Sequence, residues 1–434
     1  MNRKRRIVSL FLVFAMLATL APWSSVISSA SYSGTFQFDS EGKFTVMQLA
    51  DIQDDQNVDG RVITMITKAI AKYSPDLVVF SGDNVAPGTL ETFFEDSVDD
   101  FLAPLLNTNT KFAITFGNHD DEGISPSKST QYAYYMSKGG SNFVDHDVSS
   151  LDGVGSGVIP IYPNGQSSGT PAFQIFLMDS GNSASSGYDC PYTSQIDYYI
   201  QRSLAYPSVA SLWFQHIVVP DIYTETMTQV ASGTANSFNG NGSPYSSYTW
   251  ALNPARIAWD KCGDKTIPEL IEEGPCPANE STYTSSGHLS SSAYGNKTLY
   301  QAWSSYGNMK GAYFGHDHMN SFVTTTDEGI DLGYCKGATL SSYNDGNPGL
   351  RIYELDESGT YTSEPVTESD LNVQIVDPTA PTGTVRMTVK TKSNDFPYTN
   401  AYGTDDDVYL DLFYTDGTSW SGYVADPGDS NDFE

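Results

Sequence analysis

Short apolar runs, each ending in polar or charged residues, recur along the chain and predict the strands of a sheet. Gly, Asp or Asn flank these runs, which is typical of buried strands. The six predicted strands are Phe44–Asp51, Leu77–Asp83, Phe112–Asn118, Phe173–Asp179, Leu212–Val219 and Ala312–His316.

Helical stretches alternate with the strands, at Val62–Lys72, Leu90–Leu106, Thr130–Met136 and Ser194–Ala205. Pro75 and Gly88 break the chain between elements. This alternation indicates an α/β sandwich, in which ligands bind at the carboxyl ends of the strands. Ser232–Thr249 and Ser281–Gly295, rich in Ser, Gly, Asn and Tyr, are predicted as loops, either lids over a site or exposed insertions.

The N-terminus has the layout of a secretory signal peptide. Four basic residues at positions 3–6 precede an apolar run at 7–20, and Ser28 and Ala30 offer a small-residue cleavage site. The run is shorter than the ~20 apolar residues of a membrane span. We therefore expect cleavage of residues 1–30 near Ala30, secretion, and no transmembrane span afterwards; an uncleaved anchor is the alternative.

The composition gives the chain a strong negative charge. The 434 residues are 39% hydrophobic and 17% charged, as in a globular protein with a sizeable core, and the net charge is −30. Such an excess argues against nucleic acids and anionic lipid surfaces as partners. Of the four cysteines, Cys262 and Cys276 are candidates for a disulfide, with free buried thiols as the alternative.

Residue types that bind metals cluster where the predicted strands end. They are Asp51 and Gln53, Asp83, Asn118 with His119 and Asp120, His216, and His316 with His318. The chain has only six histidines, and four of them lie in these segments, which purely structural roles do not explain well.

Carboxylate, amide and imidazole donors suit Mn, Fe or Zn. Two divalent metals ~3.5–4 Å apart need a bridging carboxylate, and such a pair activates water and neutralises phosphate oxygens. The cations would also reverse the local charge, so that an acidic protein could bind an anionic phosphate ester.

The motifs D-x-Q, GDN, GNHD, a strand-borne His and GHDH, in this order, resemble the calcineurin-like metallophosphoesterase superfamily from about Phe44 to Leu355. A similarity to its purple-acid-phosphatase-like branch is carried by WFQHIVVP at Trp213–Pro220, GHDHMN at Gly315–Asn320 and GIDLG at Gly329–Gly333. The resemblance implies a metallophosphoesterase domain over residues 31–376, built as a four-layer α/β/β/α sandwich.

The resemblance also assigns a role to each candidate residue. It implies that Asp83 bridges two metals. The remaining ligands would be Asp51, Gln53 and His318 for the first metal, and Asn118, His216 and His316 for the second. His119 would bind the substrate phosphate or protonate the leaving oxygen, with Asp120 orienting it; general acid help of this kind contributes ~10²–10⁴ in rate.

Two positions depart from most relatives. Gln53 stands where most have His, and its neutral carbonyl oxygen favours Mn²⁺ over the alternatives Fe²⁺ and Zn²⁺. The same substitution occurs in relatives similar to manganese-dependent diphosphatases of ADP-ribose and CDP-alcohols. Ala86 stands where purple acid phosphatases carry the Tyr that gives their colour, so we expect a colourless protein.

The C-terminal region is predicted to be separate. Asp377–Gly383 is typical of a linker. Beyond it, Thr404–Phe413 and Pro427–Glu434 resemble the first half of a PLAT/LH2 domain, so residues 384–434 are predicted to form a partial β-sandwich. Such domains bind lipids or surface partners, sometimes with Ca²⁺. Asp405–Asp407 are candidate Ca²⁺ ligands, with a solvated acidic loop as the alternative.

These observations predict a secreted phosphoesterase that hydrolyses small phosphate mono- or diesters with water activated by two metals. One alternative is a manganese-dependent diphosphatase acting on nucleotide-diphosphate compounds. Another is a catalytically weak homologue that binds a ligand in the cleft and associates with the cell surface through its tail.

Overall fold

The structure is a computed structural model. It describes residues 32–54, 58–123, 126–184, 187–235, 237–240, 245–262, 288–373, 408–413 and 419–425. The predicted signal peptide, the predicted linker at 377–383, Asp405–Asp407 and Cys276 lie outside the described residues, and what was expected of them stays a prediction.

Two sheets form the centre of the fold. The larger has the spatial order β1 (Phe36–Gln37), β5 (Gly157–Tyr162), β6 (Phe173–Leu177), β9 (Ala210–Phe214), β13 (Asn308–Phe314), β15 (Asp331–Tyr334), β14 (Val323–Thr325). The smaller has the order β17 (Tyr361–Thr367), β16 (Gly349–Asp356), β2 (Lys43–Leu49), β3 (Leu77–Ser81), β4 (Phe112–Thr115). Strands β2, β3 and β4 are parallel, as are β6, β9 and β13. The carboxyl ends within each set therefore lie at a common edge.

Six α-helices accompany the sheets in the described part of the chain. They are α1 (Gly60–Tyr73), α2 (Glu91–Thr108), α3 (Lys128–Gly139), α4 (Thr193–Ala205), α5 (Asp221–Thr226) and α6 (Leu299–Ser305). The four predicted helices are present as α1 to α4. The carboxylate of Asp59 accepts from the backbone N–H of Arg61 at the start of α1, and Ser74, in the left-handed conformation, ends it before Pro75.

Alternating side chains along the strands explain the layers. On β3, Leu77 and Val79 belong to the core between the sheets, whereas Val78 and Phe80 pack in the core that contains α1, α2 and α3. On β9, Phe214 contacts Tyr353 of the smaller sheet, with ring centroids 5.2 Å apart.

The neighbouring Trp213 of β9 instead contacts Tyr199 of α4 and Trp303 of α6, with ring centroids 5.8 and 5.3 Å apart. Helices thus cover the outer faces of two packed sheets. The prediction of a four-layer α/β/β/α sandwich is confirmed.

Several elements went unpredicted. The stretch Ser232–Thr249, expected as a loop, contains β11 (Phe238–Asn239), which pairs with β12 (Thr249–Leu252); β12 also pairs with β10 (Met227–Val230). Phe238 and Trp250 pack around Tyr223, and this aromatic contact stabilises the small sheet despite its polar sequence.

Helix α6 was also missed, although it carries a recognisable start signal. Thr298 and Gln301 form a reciprocal capping box, the T-x-x-Q pattern of a helix N-terminus. The other predicted loop is Ser281–Gly295. Its residues 288–295 contain the 3₁₀ turn Ser292–Tyr294.

Two short hairpins complete the described backbone. The first pairs β7 (Ser183–Ala184) with β8 (Gly187–Tyr188), and the second pairs β18 (Val408–Phe413) with β19 (Ser419–Ala425). Strand β18 lies within Thr404–Phe413, one of the segments from which a partial β-sandwich was predicted. Within the described ranges, no helix combines the length and the apolar character needed to cross a membrane.

One buried arginine ties the two sheets together. Arg351 of β16 is fully buried, and its guanidinium donates to the backbone carbonyls of Tyr334, Lys261 and Ser321. Tyr334 ends β15 of the other sheet. The planar fork of an arginine suits several fixed acceptors of this kind.

We predict that Arg351→Met lowers the free energy of unfolding by about 3 kcal/mol or more, because three buried carbonyls lose a donor at ~1–3 kcal/mol each. Urea denaturation monitored by circular dichroism measures this change. Arg256→Met is the control, because Arg256 pairs with the exposed Asp327 and its loss should change little. Equal losses in the two variants would contradict the role given to Arg351.

Candidate metal centre

The predicted ligands lie together at the carboxyl ends of five strands from both sheets. Asp51 and Gln53 follow β2, Asp83 follows β3, Asn118 follows β4, His216 follows β9, and His316 and His318 follow β13. All seven side chains are buried. The site therefore spans the gap between the two sheets, where the parallel strands of each sheet end.

Asp83 lies at the middle of this cluster. Its Oδ2 is 2.9 Å from Nε2 of His216 and 3.3 Å from Nε2 of Gln53. Its Oδ1 accepts the backbone N–H of His119 at 2.9 Å. Ligand atoms of Asp83, His216 and His316 all lie within 4.8 Å of one another, a spacing that one metal ion can bridge.

Asp51 links the other half of the cluster. Its Oδ1 lies 3.5 Å from Nε2 of His318 and 3.7 Å from Nε2 of His216. Both carboxylate oxygens accept the backbone N–H of His316, at 3.0 and 3.1 Å. Asp51 and Asp83 thus both lie close to Nε2 of His216.

An unusual backbone conformation brings these groups so close. The residues Asp51, Gln53, Asp83 and His316 have φ of 52°, 45°, 50° and 76°. For a residue with a side chain, this left-handed region costs of order 1–3 kcal/mol each and persists only where the surroundings enforce it. A Cβ on Gly117 would lie 2.1 Å from Oδ1 of Asp83, so only glycine fits there.

Several buried polar atoms of the cluster have no hydrogen-bond partner in the part of the chain that the structure describes. Among the described residues, Oδ1 of Asn118, Nδ1 of His216 and Nε2 of His316 are buried and lack a hydrogen-bond partner. Buried polar atoms are normally satisfied. Oxygen and imidazole nitrogen atoms are ligands of Mn, Fe and Zn, so the residues present fit a metal centre.

The electrostatics of the cluster also favour a cation. Burial raises the pKa of Asp51 to about 8, and the charge of Asp83 adds to this rise against the attraction of His216. Burial alone would lower the pKa of His216, but Asp83 and Asp51 outweigh it and raise the pKa to about 9. Protonation of both Asp51 and His216 is thus favoured, and a bound metal would supply the positive charge in place of those protons.

The other two imidazoles are neutral. Burial, with the nearby charge of His216, lowers the pKa of His316 well below the usual value. Burial lowers the pKa of His318 to about 4. Neutral imidazole is the form that binds metals.

His119 differs from the ligands because its side chain is 31% exposed, at the opening of the site. Its Nε2 is 4.0 Å from Oδ2 of Asp83, and its Nδ1 is 2.8 Å from Oε2 of Glu122. Nε2 therefore faces the cluster, while Glu122 contacts the opposite nitrogen.

The expectation that Asp120 orients His119 is wrong. The buried carboxylate of Asp120 accepts the backbone N–H groups of Gly117, Asp83 and Asn84, at 2.7, 2.9 and 2.9 Å. Asp120 thus supports the main chain beneath the cluster, and Glu122 takes the position expected for it. The signal for Glu122 was present in the sequence, three residues after His119.

A comparison with known families identifies the fold and the site together. The sequence profile described as calcineurin-like phosphoesterase matches residues 44–320, more than half of the chain and the whole of the cluster. The chain belongs to the calcineurin-like phosphoesterase family. Its members generally bind divalent metals, in agreement with the donor set described above.

Three named proteins are similar in sequence to this calcineurin-like phosphoesterase. Phosphatase DCR2 of Saccharomyces cerevisiae is 25% identical over 46% of the chain and 39% of its own length, so the chain spans well under half of the yeast protein. Two Arabidopsis thaliana proteins named probable inactive purple acid phosphatases 29 and 14 are 23% and 24% identical. These matches cover 79% and 71% of the chain, and 84% and 73% of the plant proteins.

We predict that Asn118→Ala reduces the number of divalent ions retained per chain, because a buried oxygen donor is lost from the cluster. Elemental analysis after dialysis against Mn²⁺-containing buffer measures this number. Asn308→Ala, at the start of β13, is the matched control and should retain the wild-type content. An unchanged content in Asn118→Ala would remove Asn118 from the ligand set.

Proposed function

We propose that this calcineurin-like phosphoesterase hydrolyses phosphate mono- or diesters with the help of two divalent metals, and that it works outside the cell. The observation that carries the proposal is the set of seven buried residues with oxygen and nitrogen donors at the strand ends, with Asp83 among them and the partly exposed His119 beside them. The layout of residues 1–30 supports export.

The metals would be held in two groups that share Asp83. Asp51, Gln53 and His318 are proposed for the first metal, and Asn118, His216 and His316 for the second. When bound, two divalent cations activate a water molecule and take up negative charge on the phosphate oxygens. We favour Mn²⁺ because the Gln53 amide supplies a neutral oxygen donor.

His119 is proposed to handle the leaving group. Its Nδ1 lies 2.8 Å from Oε2 of Glu122, and its Nε2 is directed at the cluster. A proton on Nε2 can hydrogen-bond a phosphate oxygen and then pass to the departing alkoxide. Glu122 would hold the ring in this orientation through its contact with Nδ1.

A catalytically weak, ligand-binding role is the second candidate. It is favoured by the names of the two plant relatives, which describe probable inactive enzymes. The same buried donors would then hold metals and a phosphate group without rapid turnover. A diphosphatase acting on nucleotide-diphosphate compounds is a third candidate, and it depends on Gln53.

We predict metal-dependent hydrolysis of p-nitrophenyl phosphate or bis(p-nitrophenyl) phosphate, strongest with Mn²⁺ and abolished by EDTA. ADP-ribose is assayed in parallel, and each substrate is tested with Mn²⁺, Zn²⁺ and Fe²⁺. Asp83→Asn should lose both metal and activity because it removes the shared carboxylate. Asp327→Asn, which changes an exposed carboxylate, is the control.

The possible outcomes separate the candidates. Hydrolysis of ADP-ribose without hydrolysis of either ester would favour the diphosphatase. Two metals bound per chain with phosphate affinity but negligible turnover would favour the ligand-binding role. Activity that persists after complete metal removal would contradict all three.

We predict that Glu122→Gln lowers kcat by about 10-fold, a part of the ~10²–10⁴ that a general acid supplies. The physical reason is that a neutral amide lacks the negative charge that the Glu122 carboxylate places 2.8 Å from Nδ1 of His119. Metal content should stay at the wild-type value, because Glu122 is not among the proposed ligands. Glu95→Gln, on the surface of α2, is the control, and equal kcat values in the two variants would count against Glu122.

A further inference from the structure

Tyr343 lies in the loop that joins β15 to β16, outside every motif singled out in the sequence. It is one of the few exposed large aromatic residues in the described part of the chain, with 37% of its surface accessible. Its ring lies parallel to the imidazole of His318, with centroids 4.0 Å apart and an angle of 3° between the planes. An exposed tyrosine thus covers one face of a proposed metal ligand.

The main chain of Tyr343 contacts the same imidazole. Its carbonyl oxygen is 2.9 Å from Nδ1 of His318, where it can only accept a hydrogen bond. Nδ1 must therefore carry the proton, and Nε2 keeps its lone pair. That Nε2 lies 3.5 Å from Oδ1 of Asp51, inside the cluster. A metal-binding histidine is commonly oriented by a backbone carbonyl that accepts a hydrogen bond from the ring nitrogen that does not bind the metal.

The hydroxyl group makes a third link. It donates to the carbonyl oxygen of His316 at 2.8 Å and lies 3.4 Å from the backbone nitrogen of His318. The hydroxyl thus spans the GHDH turn from one histidine to the other. This turn includes the left-handed residue His316, whose conformation needs support from its surroundings.

The loop that carries Tyr343 is itself well anchored. Oγ1 of Thr339 accepts the backbone N–H groups of Ser341 and Ser342, both at 3.1 Å. Oγ of Ser341 donates to the carbonyl oxygen of Gln53 at 2.9 Å. Asp345 forms an ion pair with Lys336. One loop thus contacts both Gln53 and His318, which are proposed ligands of the same metal.

We propose that Tyr343 is a positioning residue for the first metal site, where it sets the tautomer and the ring plane of His318. The inference rests on the metal-dependent function proposed above. The ring and the backbone carbonyl of Tyr343 contact the imidazole of His318 in the first site, whereas its hydroxyl contacts the backbone carbonyl of His316 in the second.

The test compares Mn²⁺ binding to Tyr343→Ala and Tyr343→Phe with binding to the wild-type protein, by titration followed with electron paramagnetic resonance. Tyr343→Ala removes the stacked ring and the hydroxyl, and one of the two Mn²⁺ ions should bind about 10–100-fold more weakly. At limiting Mn²⁺, the wild-type spectrum should be that of a coupled pair of ions, whereas the spectrum of Tyr343→Ala should be that of a single ion.

Tyr343→Phe keeps the ring and the backbone carbonyl, so its affinity should stay much nearer to wild type. Tyr248→Ala, another exposed tyrosine, is the matched control and should bind both ions normally. High Mn²⁺ concentrations should restore the activity of Tyr343→Ala, because the ligand itself remains.

If Tyr343→Ala binds both Mn²⁺ ions with wild-type affinity, the proposal is overturned. Equal weakening of both ions, together with a lower melting temperature, would also overturn it, since that result indicates a general structural role. A wild-type protein that binds no Mn²⁺ would instead overturn the proposed function on which the inference rests.

A further readout requires no substitution. Nitrogen-15 NMR of the histidines in the zinc-loaded wild-type protein should show His318 protonated at Nδ1. Protonation at Nε2 would overturn the proposal, because the carbonyl of Tyr343 would then not set the tautomer.

Discussion

Asp51 and Asp83 are two carboxylates buried beside the same nitrogen of one imidazole, and the rest of the site is arranged around the cost of that burial. Like charges in a low-dielectric environment repel strongly, and the loss of hydration adds to the penalty. The effect is visible in the raised pKa of Asp51 and in the proton held on His216. A divalent cation offsets both costs at once, which explains why this group of residues is stable as a metal centre.

The same constraint reaches into the backbone. Bringing the donors together requires left-handed conformations at four of the predicted ligands and a glycine at position 117, where a Cβ would meet Asp83. Asp120 compensates by accepting three backbone N–H groups beneath the cluster. The strain and the buried charge are thus stabilised by hydrogen bonds from loops that the two sheets hold in place.

Membership of the calcineurin-like phosphoesterase family describes the fold and the general ability to bind divalent metals, but not the reaction rate or the substrate. The yeast relative is named a phosphatase, whereas both plant relatives are named probable inactive enzymes. The residues that can meet a substrate are the partly exposed ones at the opening of the site. In this chain those residues include His119, beside Glu122, and Tyr343, beside His318.

The sequence by itself determined the alternation of strands and helices and the residue types of the ligands. Local patterns suffice there, because the apolar period and the polar residues at strand ends depend on near neighbours in the chain. It also predicted four helices and the α/β/β/α layers, the latter through the family resemblance. The capping box before α6 and the acidic residue after His119 were local signals too, and both were overlooked.

Only the tertiary structure decided which partner each functional group has. Asp120 and Glu122 are both close to His119 in sequence, and the packing of the GDN and GNHD turns directs Asp120 to the backbone instead. Tyr343 is 25 residues from His318, and the two meet only because β14 and β15 fold back beside β13. Contacts of this kind depend on how distant segments of the chain pack together. The spacing of residues along the sequence does not reveal that packing.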